Sequence, residues 1–210
     1  IIFFDANPEI DIAFARVQFF TDSISTKNTH SNVSNQTITV EQALVENPAC
    51  TASNIIIRKH VFEKVGGFTN HLSFAEDQEW TVRAVADGFK MGAINRTLVY
   101  YRNTSNNSSS DLHTMRHGWK AMANSLKKAK VSISKNTFAK ADAINNRYLT
   151  RKSLKLGMPN SVTAKYLWNG LQASISGFFN NFEHGSTTIA ATLVSFVLPK
   201  GLQRQLFSEK

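Results

Sequence analysis

The sequence is poor in cysteine and contains a single residue of this type, Cys50. One thiol cannot form a disulfide within the chain, which excludes a disulfide-stapled secreted scaffold and a cysteine-rich zinc module and favours a reducing, cytoplasmic compartment. Proline and glycine are also scarce, with 4 and 10 residues, which excludes collagen-like and low-complexity architectures. A folded globular protein is therefore expected.

Long apolar runs are absent as well. The longest, residues 189–198, falls short of the roughly 20 residues that a membrane-spanning helix needs. The chain starts at Ile1 with neither a Met nor a charged leader, which we interpret as the start of a fragment whose upstream part is missing. We expect such a fragment to be inactive by itself.

Acidic residues are scarce in the second half. Residues 1–115 hold 9 Lys and Arg against 12 Asp and Glu, whereas residues 116–210 hold 15 against 3. A basic half suits nucleic acid, anionic lipid or phosphorylated substrates, and the sign of the charge does not choose among them.

Periodicity predicts an α/β first part and a helical second part. The expected domains are residues 1–103, a loop at 104–112 and a basic helical extension at 113–210. In the first part, β-branched and apolar runs predict strands, the second of them buried, and amphipathic spacing predicts two helices. These strands are 11–20, 54–58, 91–94 and 97–102, and the helices are 60–65 and 76–87. In the extension, Ser161 and Ser186 are predicted helix caps, with the last helix ending before Pro199.

The most informative feature is the acidic pair Glu76-Asp77 at the first turn of a predicted helix. The positive end of the helix dipole favours ionised carboxylates there, and an ionised carboxylate can act as a general base. Acidic residues at this position are also ordinary helix-capping chemistry, which is the explanation that the pair by itself favours.

The order of motifs around this pair resembles the C-terminal half of the catalytic domain of family 2 glycosyltransferases of the GT-A type. The resemblance covers about 55 residues. Its motifs are Asn54-Ile55-Ile56-Ile57-Arg58, Val61-Phe62, Val65-Gly66-Gly67-Phe68, Ala75-Glu76-Asp77 with Trp80, Arg83 and Gly88, and Tyr100-Tyr101-Arg102. It implies a Rossmann-like fold and an inverting sugar transfer in which Asp77 deprotonates the acceptor hydroxyl.

The resemblance further implies five substrate-binding residues: Glu76, Asn54, Gly67, Trp80 and Arg102. Simpler structural explanations stand beside these roles. A Trp on an amphipathic helix is commonly a core residue, the Gly66-Gly67 pair suits a helix C-terminal turn, and Arg83 suits an ion pair with an acid of its own helix.

A divalent metal, Mg²⁺ or Mn²⁺, is implied for the intact enzyme, but no metal ligand is assigned in this chain. The sequence Asp5-Ala6-Asn7 lies too close to the strand at 11–20 to be the family's Asp-x-Asp. Thr104 stands where many members have a metal-binding His. His113 and His117 have the i, i+4 spacing of a ligand pair, but they lack a third ligand and are interpreted as a solvated pair.

The sequence thus predicts a transferase that moves a sugar from a nucleotide-sugar donor to a saccharide or lipid-linked acceptor, in cell-surface polysaccharide or glycolipid synthesis. The Gln-x-x-Arg-Trp sequence of polymerising members is missing, which favours transfer of one or a few sugars. The alternative is a non-catalytic transferase-like module that binds carbohydrate or scaffolds at the membrane. The basic extension has aromatic residues that include Trp119, Trp168, Phe178, Phe179 and Phe182. For it we predict peripheral contact with an anionic membrane and no nucleic-acid binding, with a solvated basic face as the alternative.

Overall fold

A computed structural model describes residues 2–21, 23–24, 29–104 and 111–207 and shows a mixed α/β protein. The predicted loop at 104–112 falls largely outside the described residues. The chain separates into two compact units, one of residues 1–110 with 118–132 and the other of residues 111–117 with 133–210. Residues 118–132 of the predicted extension therefore belong to the first unit. The boundaries predicted for the extension as a domain stay a prediction.

The first unit contains a three-stranded sheet of order β2-β1-β3. Strand β1 (Ile12–Phe20) lies in the centre, antiparallel to β2 (Ile55–Ile57) and parallel to β3 (Met91–Arg102). The predicted first strand is confirmed. The predicted strands 91–94 and 97–102 form one strand. The register of its pairing with β1 shifts on both sides of Arg16, opposite the gap between the two predicted strands. The second strand was predicted to be buried, which is wrong, because β2 is an edge strand with Ile56 exposed.

Four helices belong to the first unit alone: α1 (Ile2–Ala6), α2 (Val40–Val45), α3 (Lys59–Val65) and α4 (Glu76–Ala86). The helices predicted at 60–65 and 76–87 are confirmed as α3 and α4. They contribute apolar side chains to a core with β1 and β3. This core consists of Ile12, Phe14, Ala49, Val61, Trp80, Ala84 and Met91.

Asn54 is the last residue of a short 3₁₀ helix (Ala52–Asn54) and bonds this helix to the central strand. Its Oδ1 accepts from the backbone N of Ala15 at 3.0 Å, and its Nδ2 donates to the carbonyls of Ala15 and Ala49 at 2.8 and 2.9 Å. The side chain is buried. Asn54 thereby supplies the hydrogen bonds that a neighbouring strand would supply to β1.

The helix α5 (Leu112–Lys128) contributes residues to both units. Its buried apolar face consists of Trp119, Met122, Ala123 and Leu126. The second unit is otherwise helical, with α6 (Lys135–Lys155) contacting α7 (Asn160–Ala173), α8 (Ile175–Phe178), α9 (Phe182–Val197) and α10 (Lys200–Phe207).

Two predicted helix caps are wrong. α7 begins after Pro159 rather than Ser161, and α9 begins after Asn181, whose side chain accepts from the backbone N of His184. Ser186 lies inside α9, where its hydroxyl instead bonds the carbonyl of Phe182. The predicted end before Pro199 is confirmed. No helix in the described ranges combines the length and apolar character needed to cross a bilayer.

We predict that Asn54→Ala lowers the free energy of unfolding by about 2–4 kcal/mol, because it leaves buried backbone groups of Ala15 and Ala49 without partners. Urea denaturation followed by circular dichroism measures this. Asn70→Ala, an equal truncation at an exposed position, is the control and should change stability by less than about 0.5 kcal/mol. Equal effects of the two substitutions would contradict the structural role of Asn54.

A second stability prediction concerns the close approach of α8 to α6. A Cβ at Gly177 would lie 2.6 Å from the Cα of Lys140, whereas a Cβ at Gly201 meets nothing within 4 Å. Gly177→Ala should therefore destabilise by about 1–3 kcal/mol. Gly201→Ala should be neutral or stabilise by up to about 1 kcal/mol through helix propensity. Thermal unfolding of the two variants tests this, and a neutral Gly177→Ala would refute the contact.

Candidate functional site

The candidate site lies at the N-terminus of α4. Ala75, directly before the helix, has φ +61° and ψ +24°, a left-handed conformation that non-glycine residues rarely adopt. Its carbonyl accepts the first helical hydrogen bond, from the backbone N of Glu79 at 2.9 Å. The chain thus turns sharply into the helix and places Glu76 and Asp77 in its first turn. Strained backbone of this kind is found preferentially at functional sites.

Asp77 is held by hydrogen bonds to both carboxylate oxygens. Oδ2 accepts from Nδ2 of Asn47 at 3.0 Å, and Oδ1 accepts from the backbone N of Gln78 at 2.7 Å. The residue keeps 9% of its surface exposed. Each carboxylate oxygen has two lone pairs, so each retains one that these bonds do not use. Asp77 is therefore fixed in position but still able to accept a further hydrogen bond.

Asn47 is a site residue that the sequence analysis did not identify. Its own Oδ1 accepts from the backbone N of Ala49 at 3.2 Å, which fixes the amide so that Nδ2 faces Asp77. Gln78 reinforces the arrangement, because its Nε2 donates to the carbonyls of Ala43 and Leu44 at the end of α2. Two amide side chains thus tie α2 and the loop that follows it to the start of α4.

The three acids of the first α4 turns have different environments. Glu79 is buried, its Oε2 is 3.0 Å from Nε of Arg83, and its Oε1 accepts from the hydroxyl of Ser125 at 2.9 Å. Glu76 is partly exposed. Among the ion pairs of the described residues, none involves Asp77. The negative charge of Glu79 is balanced by a cation, while that of Asp77 is balanced by amide donors only.

Trp80 was predicted to bind substrate, and this is wrong. The side chain is fully buried, stacks on Phe62 with ring centroids 5.8 Å apart, and contacts Phe68. Its Nε1 donates to the carbonyl of Gly66 at 2.7 Å. Trp80 therefore belongs to the core, as the alternative explanation of the sequence held.

The glycine turn after α3 is held by side chains of α4. Arg83 donates to the carbonyls of Val65 and Gly67 at 2.8 and 2.9 Å, in addition to its ion pair with Glu79, which confirms its predicted internal role. Gly66 has φ +82°, which requires glycine. At Gly67 a Cβ would meet no atom within 4 Å, so there is open space beside it. Contact between Gly67 and a substrate stays a prediction.

The other predicted substrate-binding residues lie in different contacts. The amide of Asn54 is used by backbone groups of β1 and the preceding loop, which gives it a structural function. Arg102 is exposed at the end of β3, with its guanidinium carbon 5.3 Å from the centroid of the Phe20 ring. Their binding roles stay predictions. The structure brings Asp77 together with Asn47 rather than with either of these residues.

Cys50 lies next to this site. It has φ +65°, a second left-handed non-glycine conformation. Although the residue is at the surface, the protein around its thiol raises the pKa of Cys50 by desolvation, opposed by a hydrogen bond with Ser31 and reinforced by the charges of Glu46 and Asp77. The charge of Asp77 therefore contributes to the raised pKa of the Cys50 thiol.

The described residues contain no group of three or more His, Cys, Asp or Glu side chains placed to hold a metal ion. His113 and His117 are both exposed. The described residues therefore offer no ligand set for the expected divalent metal.

Comparison with protein-family models, curated proteins and solved structures finds no match to this chain.

We predict that Asp77→Asn accelerates the reaction of Cys50 with iodoacetamide at pH 8. Removing the negative charge lowers the pKa of the thiol, so a larger fraction is thiolate, the reacting form. Glu46→Gln should accelerate the reaction at least as much. Glu63→Gln, at an exposed position on α3 that does not influence the thiol, serves as the control. A rate unchanged by Asp77→Asn would show that the carboxylate does not act on Cys50.

Proposed function

We propose that the chain carries the acceptor side of an inverting glycosyltransferase similar to family 2 enzymes of the GT-A type. The observation that carries this proposal is the carboxylate of Asp77, fixed by Asn47 at the first turn of α4 and paired with no cation among the residues that the structure describes. The arrangement of the parallel strands β1 and β3 with α3, the glycine turn and α4 supports a Rossmann-like transferase half-domain. The acidic pair and its chain order support the same assignment.

In the proposed reaction, an oxygen of Asp77 accepts a hydrogen bond from the hydroxyl of the acceptor. As the acceptor oxygen forms its bond to the anomeric carbon of the donor, Asp77 takes the hydroxyl proton. The bond between that carbon and the nucleotide diphosphate breaks, and the diphosphate leaves with the electron pair. A positioned base of this kind contributes about 10²–10⁴-fold in rate.

The surrounding residues have distinct proposed roles. Asn47 positions Asp77 by donating from Nδ2 to Oδ2. The carboxylate is thereby held in one orientation, with its unused lone pairs available to the acceptor. Glu76, partly exposed in the same turn, is proposed to orient the acceptor. Gly67, with open space beside it, lets a substrate approach the backbone closely. Trp80 and Arg83 support this turn from within the unit.

A divalent ion, Mg²⁺ or Mn²⁺, remains part of the proposal for donor binding, where it would stabilise the diphosphate charge. The described residues offer no ligand set for this ion. The remaining partners, a nucleotide-sugar donor and a saccharide or lipid-linked acceptor, follow from the proposed reaction.

A non-catalytic carbohydrate-binding module is the second candidate. The observation that favours it is the low exposure of Asp77, which leaves a narrow approach for a hydroxyl. Such a module would bind sugar without releasing nucleotide. The two candidates differ in turnover, which can be measured directly.

We predict that Asp77→Asn in the full-length protein lowers the kcat of sugar transfer by about 10²–10⁴-fold, because the base is lost while shape and hydrogen bonding are kept. The measurement is release of nucleoside diphosphate from a panel of UDP-, GDP- and dTDP-sugars with saccharide acceptors. Binding of the nucleotide sugar, measured by calorimetry, should not change.

Asp87→Asn is the matched control, since it makes the same substitution at an exposed carboxylate just past the other end of α4, and its kcat should equal that of the wild type. Full turnover in the Asp77→Asn protein would remove the base assignment. Sugar binding by the wild type without turnover of any donor would favour the non-catalytic module.

A further inference from the structure

Helix α9 (Phe182–Val197) has its polarity reversed relative to an ordinary surface helix. The side chains that it buries are small or hydroxylic: Gly185, Thr188, Thr192 and Ser195. Its outer side carries large apolar residues with high exposed fractions, 75% for Phe182, 62% for Leu193, 57% for Phe196 and 85% for Val197. A surface helix normally turns such residues toward the core.

The buried hydroxyls have their hydrogen bonds within the helix. Oγ1 of Thr188 donates to the carbonyl of His184 at 2.6 Å, Oγ1 of Thr192 to Thr188 at 2.8 Å, and Oγ of Ser195 to Thr192 at 2.7 Å. Polar groups satisfied in this way can be buried at little cost. The small side chains let α9 pack on α6 and α7. A Cβ at Gly185 would lie 2.5 Å from the ring of Phe179, the residue that follows α8.

The apolar outer side continues into α10, in which Leu202 and Leu206 are exposed with a spacing of four residues. We call the large apolar residues that are exposed on the two helices the outer apolar face; it consists of Phe182, Leu193, Val194, Phe196, Val197, Leu202 and Leu206. A concentration of large apolar side chains on two consecutive helices indicates a surface that is covered when the protein functions.

Charge selects the occupant of this face. The second unit, residues 111–117 and 133–210, contains 11 Lys and Arg against 4 Asp and Glu, a net charge of +7. Of the acids, Asp142 pairs with Arg116, and α9 itself has only Glu183. A second copy of the unit would bring like charge against like charge, whereas an anionic lipid surface attracts it.

The length of α9 decides how it meets a bilayer. Sixteen residues at 1.5 Å each give about 24 Å, less than the roughly 30 Å of a hydrocarbon core. With a small-residue side packed on α6 and α7 and an apolar side exposed, the helix is suited to lie in the headgroup region parallel to the membrane plane.

We propose that the outer apolar face of α9 and α10 docks onto an anionic lipid bilayer, with the apolar side chains entering the boundary between headgroups and acyl chains. The basic second unit adds electrostatic attraction. The earlier expectation of membrane contact rested on charge and aromatic content. Of the aromatic residues behind that expectation, Phe178 and Trp119 are buried, whereas Phe182 is exposed and belongs to the face. This inference does not depend on the proposed sugar transfer.

The test is co-sedimentation of the full chain with vesicles of phosphatidylglycerol and phosphatidylcholine, compared with vesicles of phosphatidylcholine alone. The wild type should bind the anionic vesicles, bind phosphatidylcholine several-fold less, and be released as salt is raised. The double variant Leu193→Ser, Val197→Ser should lose roughly tenfold or more in binding to anionic vesicles. Leu156→Ser, at an exposed leucine just past the end of α6, is the control and should bind like the wild type.

Because both substituted positions are exposed, the variants should fold, and circular dichroism checks this. Analytical ultracentrifugation of each protein accompanies the assay. Undiminished vesicle binding by the double variant would overturn the assignment of the face. Absence of vesicle binding by the wild type would overturn the lipid as occupant. Self-association of the wild type that the double variant abolishes would, in that case, identify a second copy instead.

Discussion

The hydrogen bond from Asn47 to Asp77 is the interaction on which the arrangement of the candidate site depends. It joins the loop after α2 to the start of α4, two segments 30 residues apart in the chain. Because the Asn47 amide is itself oriented by the backbone of Ala49, the carboxylate is held by a group that cannot turn away freely. Gln78, bonded to the end of α2, keeps the same two segments together. The start of α4 is thus positioned before any ligand binds, which is the preorganisation that a general base requires.

The acids in α4 differ in how their charges are balanced. Glu79 is buried and balanced by Arg83, and removing either partner would leave an uncompensated charge in the unit. Asp77 has neutral donors instead, which hold its position without cancelling its charge. The same helix supports the glycine turn through Trp80 and Arg83. One helix therefore stabilises the unit by its inner side and presents the candidate base at its N-terminus.

In the second unit, helices pack against each other while large apolar side chains remain exposed. Hydroxyls that bond their own helix allow the inner side of α9 to be polar in composition and still be buried.

Local patterns in the sequence predicted most helices and the central strand, because amphipathic period, β-branched runs and glycine stops act over a few residues. They also predicted Asp77 at a helix start and Arg83 as an internal ion-pair partner. Tertiary structure alone decided the rest, for physical reasons visible in particular residues. Ile56 lies on an edge strand, and Trp80 is enclosed by Phe62 and Phe68. The side-chain amide of Asn54 bonds the backbone of Ala15 in β1, a strand distant in sequence. Helix α9 exposes its large apolar residues. Periodicity states that a helix has two faces, but only the packing partners determine which face is buried.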